Sequence, residues 1–232
     1  MSVERKSQIL ENLSSVRDRI KSAALAANRN PDEINLIAVT KNFPIPDLLT
    51  LYEAGVRDFG ENRDQEAREK VAQLPSDIKW HFQGQIQSNK LKSITQWATY
   101  IHSVDQFRYA KMISDLTQGV NRSIFIQISL DNQPNVDQES QIRGGVNPDT
   151  LLQLADEISQ LPKVNLLGVM AVAPLNGSVT EAFSRIAQFS STLIKTHPQA
   201  RALSIGMSGD FEEGIRHGAT HLRIGTSILG NR

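Results

Sequence analysis

The stretch "LIAVTKNFP", residues 36–44, is an apolar run that ends abruptly on Lys41 and then breaks at an asparagine and a proline. An apolar run without alternation is typical of a parallel strand that is covered on both faces. The next residues, "PIPDLLTLYEAG" (44–55), predict a helix with Pro46 near its start and Gly55 at its end. On this strand–helix unit alone, the simplest interpretation of Lys41 is a solvated surface lysine.

The same strand–helix unit recurs along the chain. Strands that alternate with helices pair in parallel, and eight units fit in 232 residues. The sequence therefore predicts an α/β fold, a single-domain (β/α)8 TIM barrel over 1–232 with an extra N-terminal helix. An open doubly wound sheet is the alternative, although no G-x-G-x-x-G loop follows the first strand. The predicted strands are 34–40, 56–60, 78–84, 99–104, 122–130, 164–172, 200–207 and 219–225, and the predicted helices are 2–27, 44–55, 62–74, 89–96, 105–119, 147–161, 178–197 and 209–218.

Composition narrows the function classes. Lys+Arg and Asp+Glu are each 25, so the formal net charge is zero and nucleic acid is not a predicted partner. The absence of cysteine excludes disulfides, thiolate metal sites and a cysteine nucleophile. The charged N-terminus does not resemble a signal peptide, and no apolar stretch approaches the roughly twenty residues that span a bilayer. We expect a cytoplasmic protein with no membrane partner.

Polar residues collect where the predicted strands end. In a barrel of this kind the carboxyl ends of the strands meet at one mouth, where the chemistry takes place. No His/Asp/Glu set shows metal-ligand spacing, and no metal site is predicted. The polar strand ends are Lys41 after the first strand, Glu61 and Asn62 after the second, Gln83 to Gln87 after the third, 206–210 after the seventh and 223–227 after the eighth.

The last two segments, "GMSGD" (206–210) and "RIGTS" (223–227), have the composition of an anion site. Small residues with free backbone N–H groups, together with hydroxyls, can surround a phosphate. The loops after strands seven and eight are also where TIM barrels commonly bind phosphate. Either segment alone could be an ordinary turn, and Asp210 is most simply a helix cap. The two segments at this place favour a phosphate site.

Two further residues have alternative interpretations. Arg223, inside the last strand, points either to solvent or inward, and an inward arginine needs a specific acceptor. His81, on the third strand, is either a satisfied core histidine or a residue of the mouth. A lysine whose amine can condense with an aldehyde, a phosphate site and a strand arginine together indicate pyridoxal 5′-phosphate (PLP) as the cofactor.

The chain resembles the pyridoxal phosphate homeostasis proteins (the YggS/PROSC type, called PipY in cyanobacteria), whose fold is similar to the N-terminal barrel domain of alanine racemase. The likeness runs nearly end to end. Two positions depart from the family pattern: Gln83 stands where an aliphatic residue is expected, and Ile142 about where the family often has a lysine. The motifs that carry the resemblance are "AVTKNF" (38–43), "FGENR" (59–63), "WHFQGQIQSNK" (80–90), "SVD" (103–105) and "LSIGMSGDFEEGIRHGATHLRIGTSILG" (203–230).

The resemblance implies a role for each matching residue. Lys41 is expected to form the internal aldimine with PLP, and Arg223 to face the pyridine nitrogen. Asn62 and His81 fall in motifs that line the same mouth. The positions that match phosphate binding are Ser208, Gly225 and Thr226, with Met207 and Gly209 beside them.

Three functions remain open at this point. The leading hypothesis is a non-catalytic carrier that holds PLP and buffers or delivers it, with PLP-dependent enzymes that lack their cofactor as candidate recipients. The second is a small racemase-like PLP enzyme, although alanine racemase, by the same resemblance, needs a second domain and a tyrosine from its partner subunit. Tyr52, Tyr100 and Tyr109 are predicted on a helix, a strand start and a helix, so none is expected as an opposing base, which favours the carrier. The loss of the dimer apparatus of the racemase favours a monomer. The third is a PLP-independent scaffold for a regulatory protein.

Overall fold

The computed structural model describes residues 2–130, 144–174 and 176–231. Ile142, where the sequence departs from the family pattern, lies outside the described residues. Eight parallel strands follow one another in chain order around a closed barrel. The strands are β1 (Asn35–Val39), β2 (Asp58–Glu61), β3 (Lys79–Phe82), β4 (Tyr100–Val104), β5 (Arg122–Gln127), β6 (Val164–Met170), β7 (Ala202–Met207) and β8 (His221–Ile224).

The barrel closes where β8 pairs with β1. Asn35 lies opposite His221, and Ala38 lies opposite Ile224. This pairing confirms the predicted barrel and excludes the open sheet. It also places the carboxyl ends of β1 and β8 side by side, although the two segments are far apart in the sequence.

Helices surround the barrel, one after each strand. Three 3₁₀ turns in the described ranges (Pro31–Glu33, Ser88–Lys90 and Pro148–Thr150) precede β1 and the helices that follow β3 and β5. In the part of the chain that the structure describes, none of the helices has both the length and the apolar character to cross a bilayer. The helices are α1 (Val3–Ala26), α2 (Ile45–Glu53), α3 (Asp64–Val71), α4 (Leu91–Trp97), α5 (Phe107–Leu116), α6 (Leu151–Ser159), α7 (Val179–Thr196), α8 (Phe211–Arg216) and α9 (Thr226–Leu229).

The N-terminal helix α1 packs against α2, α8 and α9. Helical spacing puts its apolar residues on one stripe, and that stripe is buried. Arg5 fixes the start of the helix, because its guanidinium donates to Asp47 at 2.7 Å and to the carbonyl of Leu229 at 2.8 Å. The buried stripe consists of Ile9, Leu13, Val16, Ile20 and Ala24.

Two local predictions differ from the structure. The helix predicted over 105–119 begins only at Phe107, so Asp105 lies outside it. Asp105 stays with the strand end, where burial raises the pKa of its carboxyl group despite a hydrogen bond from the backbone of Gly145. The short helix α9 was not predicted, because four residues carry no periodicity that a sequence pattern can show. Its start at Thr226 falls inside the segment that was expected to bind phosphate.

Candidate functional site

Lys41 lies two residues beyond the end of β1, and its side chain is exposed at the mouth of the barrel. The strand ends around it are set by register. Ala38 pairs with Ile224 of β8, and Val39 pairs with Gly60 of β2. The ends of β8 and β2 therefore flank the lysine on its two sides, as the prediction of a shared mouth requires.

The turn that carries Lys41 is held by hydrogen bonds to β2. Thr40 is fully buried, its N–H donates to the carbonyl of Gly60 at 2.9 Å, and its hydroxyl donates to Glu61 Oε1 at 2.6 Å. Asn42 adopts a left-handed conformation with φ of 65°, which asparagine tolerates better than most residues. Its N–H donates to Glu66 Oε1 at 2.5 Å. The exposed lysine thus stands on a backbone that is fixed on both sides.

Lys70 on α3 also contacts the turn that carries Lys41. Its buried ammonium donates to the carbonyl of Thr40 at 2.7 Å, to Glu61 at 2.7 Å and to Glu66 at 2.6 Å. Burial raises the pKa of Glu61, while the charge of Lys70 and its hydrogen bond act in the opposite direction. A buried charge needs a counter-charge and hydrogen bonds. Lys70 supplies both to Glu61 Oε1, whereas Glu61 Oε2 is buried without a partner among the residues that the structure describes. Lys70 and its two carboxylates therefore form the base of the Lys41 turn.

The loops after β7 and β8 meet at Ser208. Its hydroxyl oxygen accepts from the N–H of Gly225 at 3.3 Å and from the N–H of Ser227 at 3.2 Å. The hydroxyl of Ser227 donates back to the carbonyl of Ser208 at 3.2 Å. Thr226 lies between them, exposed, as the first residue of α9. Two backbone N–H groups and the hydroxyls of Ser208 and Ser227 therefore meet at one point of the mouth.

The phosphate cradle, by which we mean Ser208, Gly225, Thr226 and Ser227, approaches β1 closely at Gly225, so that a side chain there would be crowded. A Cβ atom at Gly225 would lie 3.2 Å from the carbonyl oxygen of Val39 and 3.3 Å from its Cβ. At Gly209, by contrast, a Cβ atom would meet nothing within 4 Å. Asp210 stands at the helix-cap position of α8, but its carboxylate accepts from the N–H of Met207 at 2.6 Å and so closes the loop itself.

Arg223 points inward from β8 and is buried. The predicted acceptors are present: one guanidinium nitrogen donates to the carbonyl and the hydroxyl of Ser204 at 2.6 and 2.7 Å, and another donates to the carbonyl of Ala171 at 2.9 Å. Burial lowers the pKa of Arg223 to about 10, while Asp210 raises it from a distance. Arg223 is therefore a fixed cation at neutral pH.

Asn62 and Gln83 follow β2 and β3 at the same end of the barrel. The two strand ends approach closely, because a Cβ atom at Gly84 would lie only 2.0 Å from the carbonyl oxygen of Asn62. Asn62 Oδ1 and Gln83 Nε2 are buried and have no hydrogen-bond partner among the residues that the structure describes. Unpaired buried polar atoms are rare in proteins and call for a ligand, a water or a functional explanation.

His81 does not belong to the mouth. Its ring is fully buried inside the barrel, bonds Asp58 and His102, and stacks on Tyr100 with centroids 4.3 Å apart. Asp58 and Tyr100 are the first residues of β2 and β4, so the ring lies toward the amino-terminal end. The expectation that His81 lines the mouth is therefore corrected in favour of the core histidine, because its ring points into the barrel toward buried His102 and partly exposed Asp58.

Several residues at this end of the barrel were not predicted as site residues. Ser227 belongs to the "RIGTS" segment, and its position in that segment was the available signal. Ser204 is a polar residue in an apolar strand, which is a weaker signal for an inward contact. Lys70 lies on a helix that reads as an ordinary charged surface, so nothing in the sequence reveals its burial. Among the described residues, no group of three or more His, Cys, Asp or Glu side chains could hold a metal ion.

The three tyrosines of the chain all lie in its described part. Tyr52 donates to Asp77 on the outer surface at 2.8 Å. Tyr100 stacks on His81 at the start of β4, and Tyr109 is buried on α5. None of these three hydroxyl groups is therefore placed at the mouth beside Lys41.

Comparisons with known proteins agree with this geometry. The family model described as "Alanine racemase, N-terminal domain" matches residues 8–232. A pyridoxal phosphate homeostasis protein of Corynebacterium glutamicum is 40% identical over 223 residues, which cover 92% of this chain and 97% of the relative. The structure of PipY of Synechococcus elongatus PCC7942 with PLP bound has a TM-score of 0.81 and 34% identity, covering 96% of this chain and all of that one. An alanine racemase of Clostridium difficile 630 has a TM-score of 0.75 over 97% of this chain and 57% of its own, and at 14% identity it shows a shared fold alone.

Proposed function

This chain belongs to the pyridoxal phosphate homeostasis protein family, and from that premise we propose that it binds PLP at the barrel mouth and holds it as a carrier. The observation that carries the proposal is the convergence of the Gly225 and Ser227 N–H groups on Ser208, against the end of the strand that leads to Lys41. A phosphate donor set and a lysine amine then lie at one mouth. PipY, a relative at 34% identity, has been solved with PLP bound.

The residues of the cradle fit a phosphate group. Backbone N–H groups at the start of α9 and the hydroxyls of Ser208, Thr226 and Ser227 supply donors without requiring a cationic side chain. Met207 and Gly209 flank Ser208, and the open space beside Gly209 leaves room on the loop. The residues proposed to hold the phosphate are Ser208, Gly225 and Thr226, with Met207, Gly209 and Ser227 beside them.

Lys41 is proposed as the covalent tether. Its amine would hold PLP by condensing with the aldehyde carbon, which would form a C=N bond and release the aldehyde oxygen as water. The bonds from Thr40 and Asn42 to β2 and α3 keep the backbone of the lysine in place, while its exposed side chain can reach an incoming aldehyde. A tether of this kind is reversible, because water can release the aldehyde again. Reversibility suits a carrier.

Arg223 is proposed to face the pyridine nitrogen of PLP, with Asn62 lining the same mouth. When bound, PLP supplies a pyridine ring that withdraws electrons from the carbon next to a condensed amine. A carboxylate beside the nitrogen would keep it protonated and strengthen this effect. A fixed guanidinium cation favours the unprotonated nitrogen, so Arg223 weakens carbanion chemistry.

Two-base chemistry would need a second acid or base opposite Lys41. The described tyrosines lie away from the mouth, and the relatives are named homeostasis proteins. We therefore propose that the protein is a monomeric cytoplasmic PLP carrier without turnover. It would influence vitamin B6 and amino/keto-acid balance by buffering PLP or passing it to PLP-dependent enzymes that lack it.

The absorption spectrum tests the tether. Purified protein incubated with PLP should absorb in the visible region, and borohydride should convert the C=N bond into a stable secondary amine that peptide mass spectrometry locates on Lys41. Lys41→Ala should lose both signals and keep its fold, whereas Lys21→Ala, an exposed lysine on α1, should keep both. A borohydride-stable adduct in folded Lys41→Ala would show that another residue is the tether. A colourless wild-type protein would support the scaffold hypothesis.

A panel of L-amino acids tests the carrier proposal against the racemase. We expect no racemisation and no keto-acid release beyond the rate of free PLP. Turnover well above that rate, absent in Lys41→Ala, would replace the carrier with an enzyme.

A further inference from the structure

A continuous line of hydrogen bonds crosses the barrel interior from Arg223 to Asp58. Five strands contribute one side chain each to this line, in the order β8, β7, β4, β3 and β2. The line ends at the amino-terminal side of the barrel, where Asp58 is partly exposed. The four bonds are Arg223 to Ser204 Oγ at 2.7 Å, Ser204 Oγ to His102 Nδ1 at 3.0 Å, His102 Nε2 to His81 Nδ1 at 2.9 Å and His81 Nε2 to Asp58 Oδ1 at 3.0 Å.

Donor and acceptor chemistry fixes the direction of this line. A guanidinium only donates, so Ser204 Oγ accepts from Arg223, and its own hydrogen is left for His102 Nδ1. At the other end a carboxylate only accepts, so His81 Nε2 must donate to Asp58. The Asp58 end therefore fixes the arrangement between the two rings: a neutral His81 that donates from Nε2 has no hydrogen on Nδ1, so Nδ1 accepts from His102 Nε2–H, and His102 Nδ1 then accepts from the Ser204 hydroxyl. Both histidines are neutral Nε2–H tautomers, and every bond points from the cation to the anion.

Burial supports this assignment. His81, His102 and Ser204 have no exposed surface. Burial lowers the pKa of His81 despite the opposing bond to Asp58, and it holds the pKa of His102 well below its usual range. The two rings cannot turn freely, because Tyr100 stacks on His81 and Phe125 stacks on His102, each with centroids 4.3 Å apart.

Arg223 needs such a connection because its direct contacts are neutral. Its guanidinium bonds Ser204 and Ala171, and no ion pair among the described residues includes it. Asp210 acts on it only at longer range. In a low-dielectric interior, hydrogen bonds in a chain polarise one another, so a carboxylate at the far end strengthens each bond up to the cation.

We propose that four side chains position Arg223: Asp58, His81, His102 and Ser204. They fix its guanidinium beneath the mouth, and the negative charge of Asp58 strengthens each hydrogen bond along the line that ends at the guanidinium. The role of Arg223 toward the pyridine nitrogen rests on the proposed function. The directed chain itself is a property of the protein without PLP. The two can therefore be tested separately.

Histidine side-chain ¹⁵N NMR of the protein without PLP tests the chain. His81 and His102 should be Nε2–H tautomers with slowly exchanging ring protons, and resonance assignment separates them from His197, whose Nε2 lies 2.9 Å from the carboxylate of Asp156. Asp58→Leu removes the last acceptor and should abolish the fixed tautomer of His81, whereas Asp58→Asn keeps an acceptor oxygen and should preserve it. A His102 found as the Nδ1–H tautomer, or as a charged ring at neutral pH, would overturn the proposal.

PLP affinity tests the link to the mouth. Ser204→Ala interrupts the chain next to Arg223 and should lower PLP affinity about tenfold, the usual scale for a hydrogen bond to a charged group. Ser114→Ala is the matched control, because that buried serine on α5 also accepts one hydrogen bond but does not contact the chain. Asp58→Asn provides a second variant at a partly exposed position. It should shift the visible absorption maximum of bound PLP and weaken binding about two- to threefold, less than a bond to a charged group.

Folded Ser204→Ala and Asp58→Asn proteins with wild-type affinity and spectrum would refute the positioning role while leaving PLP binding intact. If the wild-type protein bound no PLP, the proposed function would fail, and the NMR experiment would still decide whether the directed chain exists.

Discussion

The mouth of the barrel and the interior beneath it hold their polar residues in opposite ways. At the mouth, Lys41 and Thr226 are exposed, and the proposed phosphate site combines the N–H groups of Gly225 and Ser227 with side-chain hydroxyls. In the interior, His81, His102 and Arg223 are buried, and each has hydrogen-bond partners. The mouth can accept a ligand because its groups are accessible, and the interior can hold charges in place because its groups are satisfied.

This contrast predicts which substitutions should change PLP affinity and which should change the free energy of unfolding. A side chain that is exposed at the mouth can be removed at little cost to folding. A buried partner cannot, because its removal leaves another polar group unsatisfied. The Lys41 turn combines both kinds of residue, since an exposed lysine stands on the buried cluster of Lys70, Glu61 and Glu66.

The largest expected effect is on stability, at Lys70. Lys70→Met removes the ammonium and leaves the fully buried carboxylate of Glu61 without its cation. Breaking one side of a buried pair typically costs about 3–5 kcal/mol of the free energy of unfolding. Urea denaturation of the variant and the wild type measures the difference.

The double variant Lys70→Met/Glu61→Gln is the matched control, because it removes both charges. It should recover most of the loss, as replacing a whole buried pair is often nearly neutral. If the free energy of unfolding of Lys70→Met lay within about 1 kcal/mol of the wild-type value, the argument from burial would be wrong.

The buried histidines predict a loss of stability in acid. Burial lowers the pKa of His221 to about 4, and the pKa values of His81 and His102 are lowered as well. In the unfolded chain these groups have an ordinary pKa of about 6.5. Between about pH 4 and 6.5 the unfolded chain therefore binds more protons, and the free energy of unfolding falls as the pH falls. His221 alone should contribute about 3 kcal/mol of this loss.

Urea denaturation at pH steps from 7 to 4 measures this slope. His221→Asn should flatten it by the share of one histidine, since the asparagine does not titrate. An equally steep decline in the variant would mean that other groups cause the acid sensitivity.

The sequence allowed the barrel to be predicted because eight apolar strand runs alternate with helical periods. The mouth residues were also accessible to sequence reasoning, since the ends of parallel strands meet by topology. Side-chain direction was not accessible. His81 and Asn62 both occur in the family motifs. Successive side chains of a strand point to opposite faces of the sheet, so the motif alone does not show that the ring of His81 points into the core.

The same limit explains the residues that were missed. Lys70 is part of "NRDQEAREKVAQL", which reads as a charged surface helix. Its burial arises because the long side chain reaches under the turn of β1 to the carbonyl of Thr40. Ser204 and His102 are distant in sequence and meet only through barrel closure. Contacts of this kind depend on three-dimensional packing and leave no local pattern.

At the mouth, Ser208→Arg should separate binding from stability. A large side chain at the point where the N–H groups converge blocks the phosphate, and the expected loss of PLP affinity is about 10- to 100-fold, the scale of lost charge-assisted hydrogen bonds. Equilibrium dialysis with PLP measures it. Ser22→Arg on the exposed face of α1 adds the same side chain elsewhere and should bind as the wild type does. Equal PLP retention in folded Ser208→Arg and the control would place the phosphate elsewhere.

Thr226→Ala should have the smallest effect. Thr226 is exposed at the start of α9, so removal of its hydroxyl should leave thermal unfolding unchanged. The variant loses one of the hydroxyls proposed to bind the phosphate but none of the backbone donors, and PLP affinity should fall about two- to tenfold. Thr226→Ser restores the hydroxyl without the methyl group and should recover the affinity. If Thr226→Ser bound PLP as weakly as Thr226→Ala, the contribution of residue 226 would come from the methyl group, and the mouth would hold PLP through the backbone N–H groups and the serines alone.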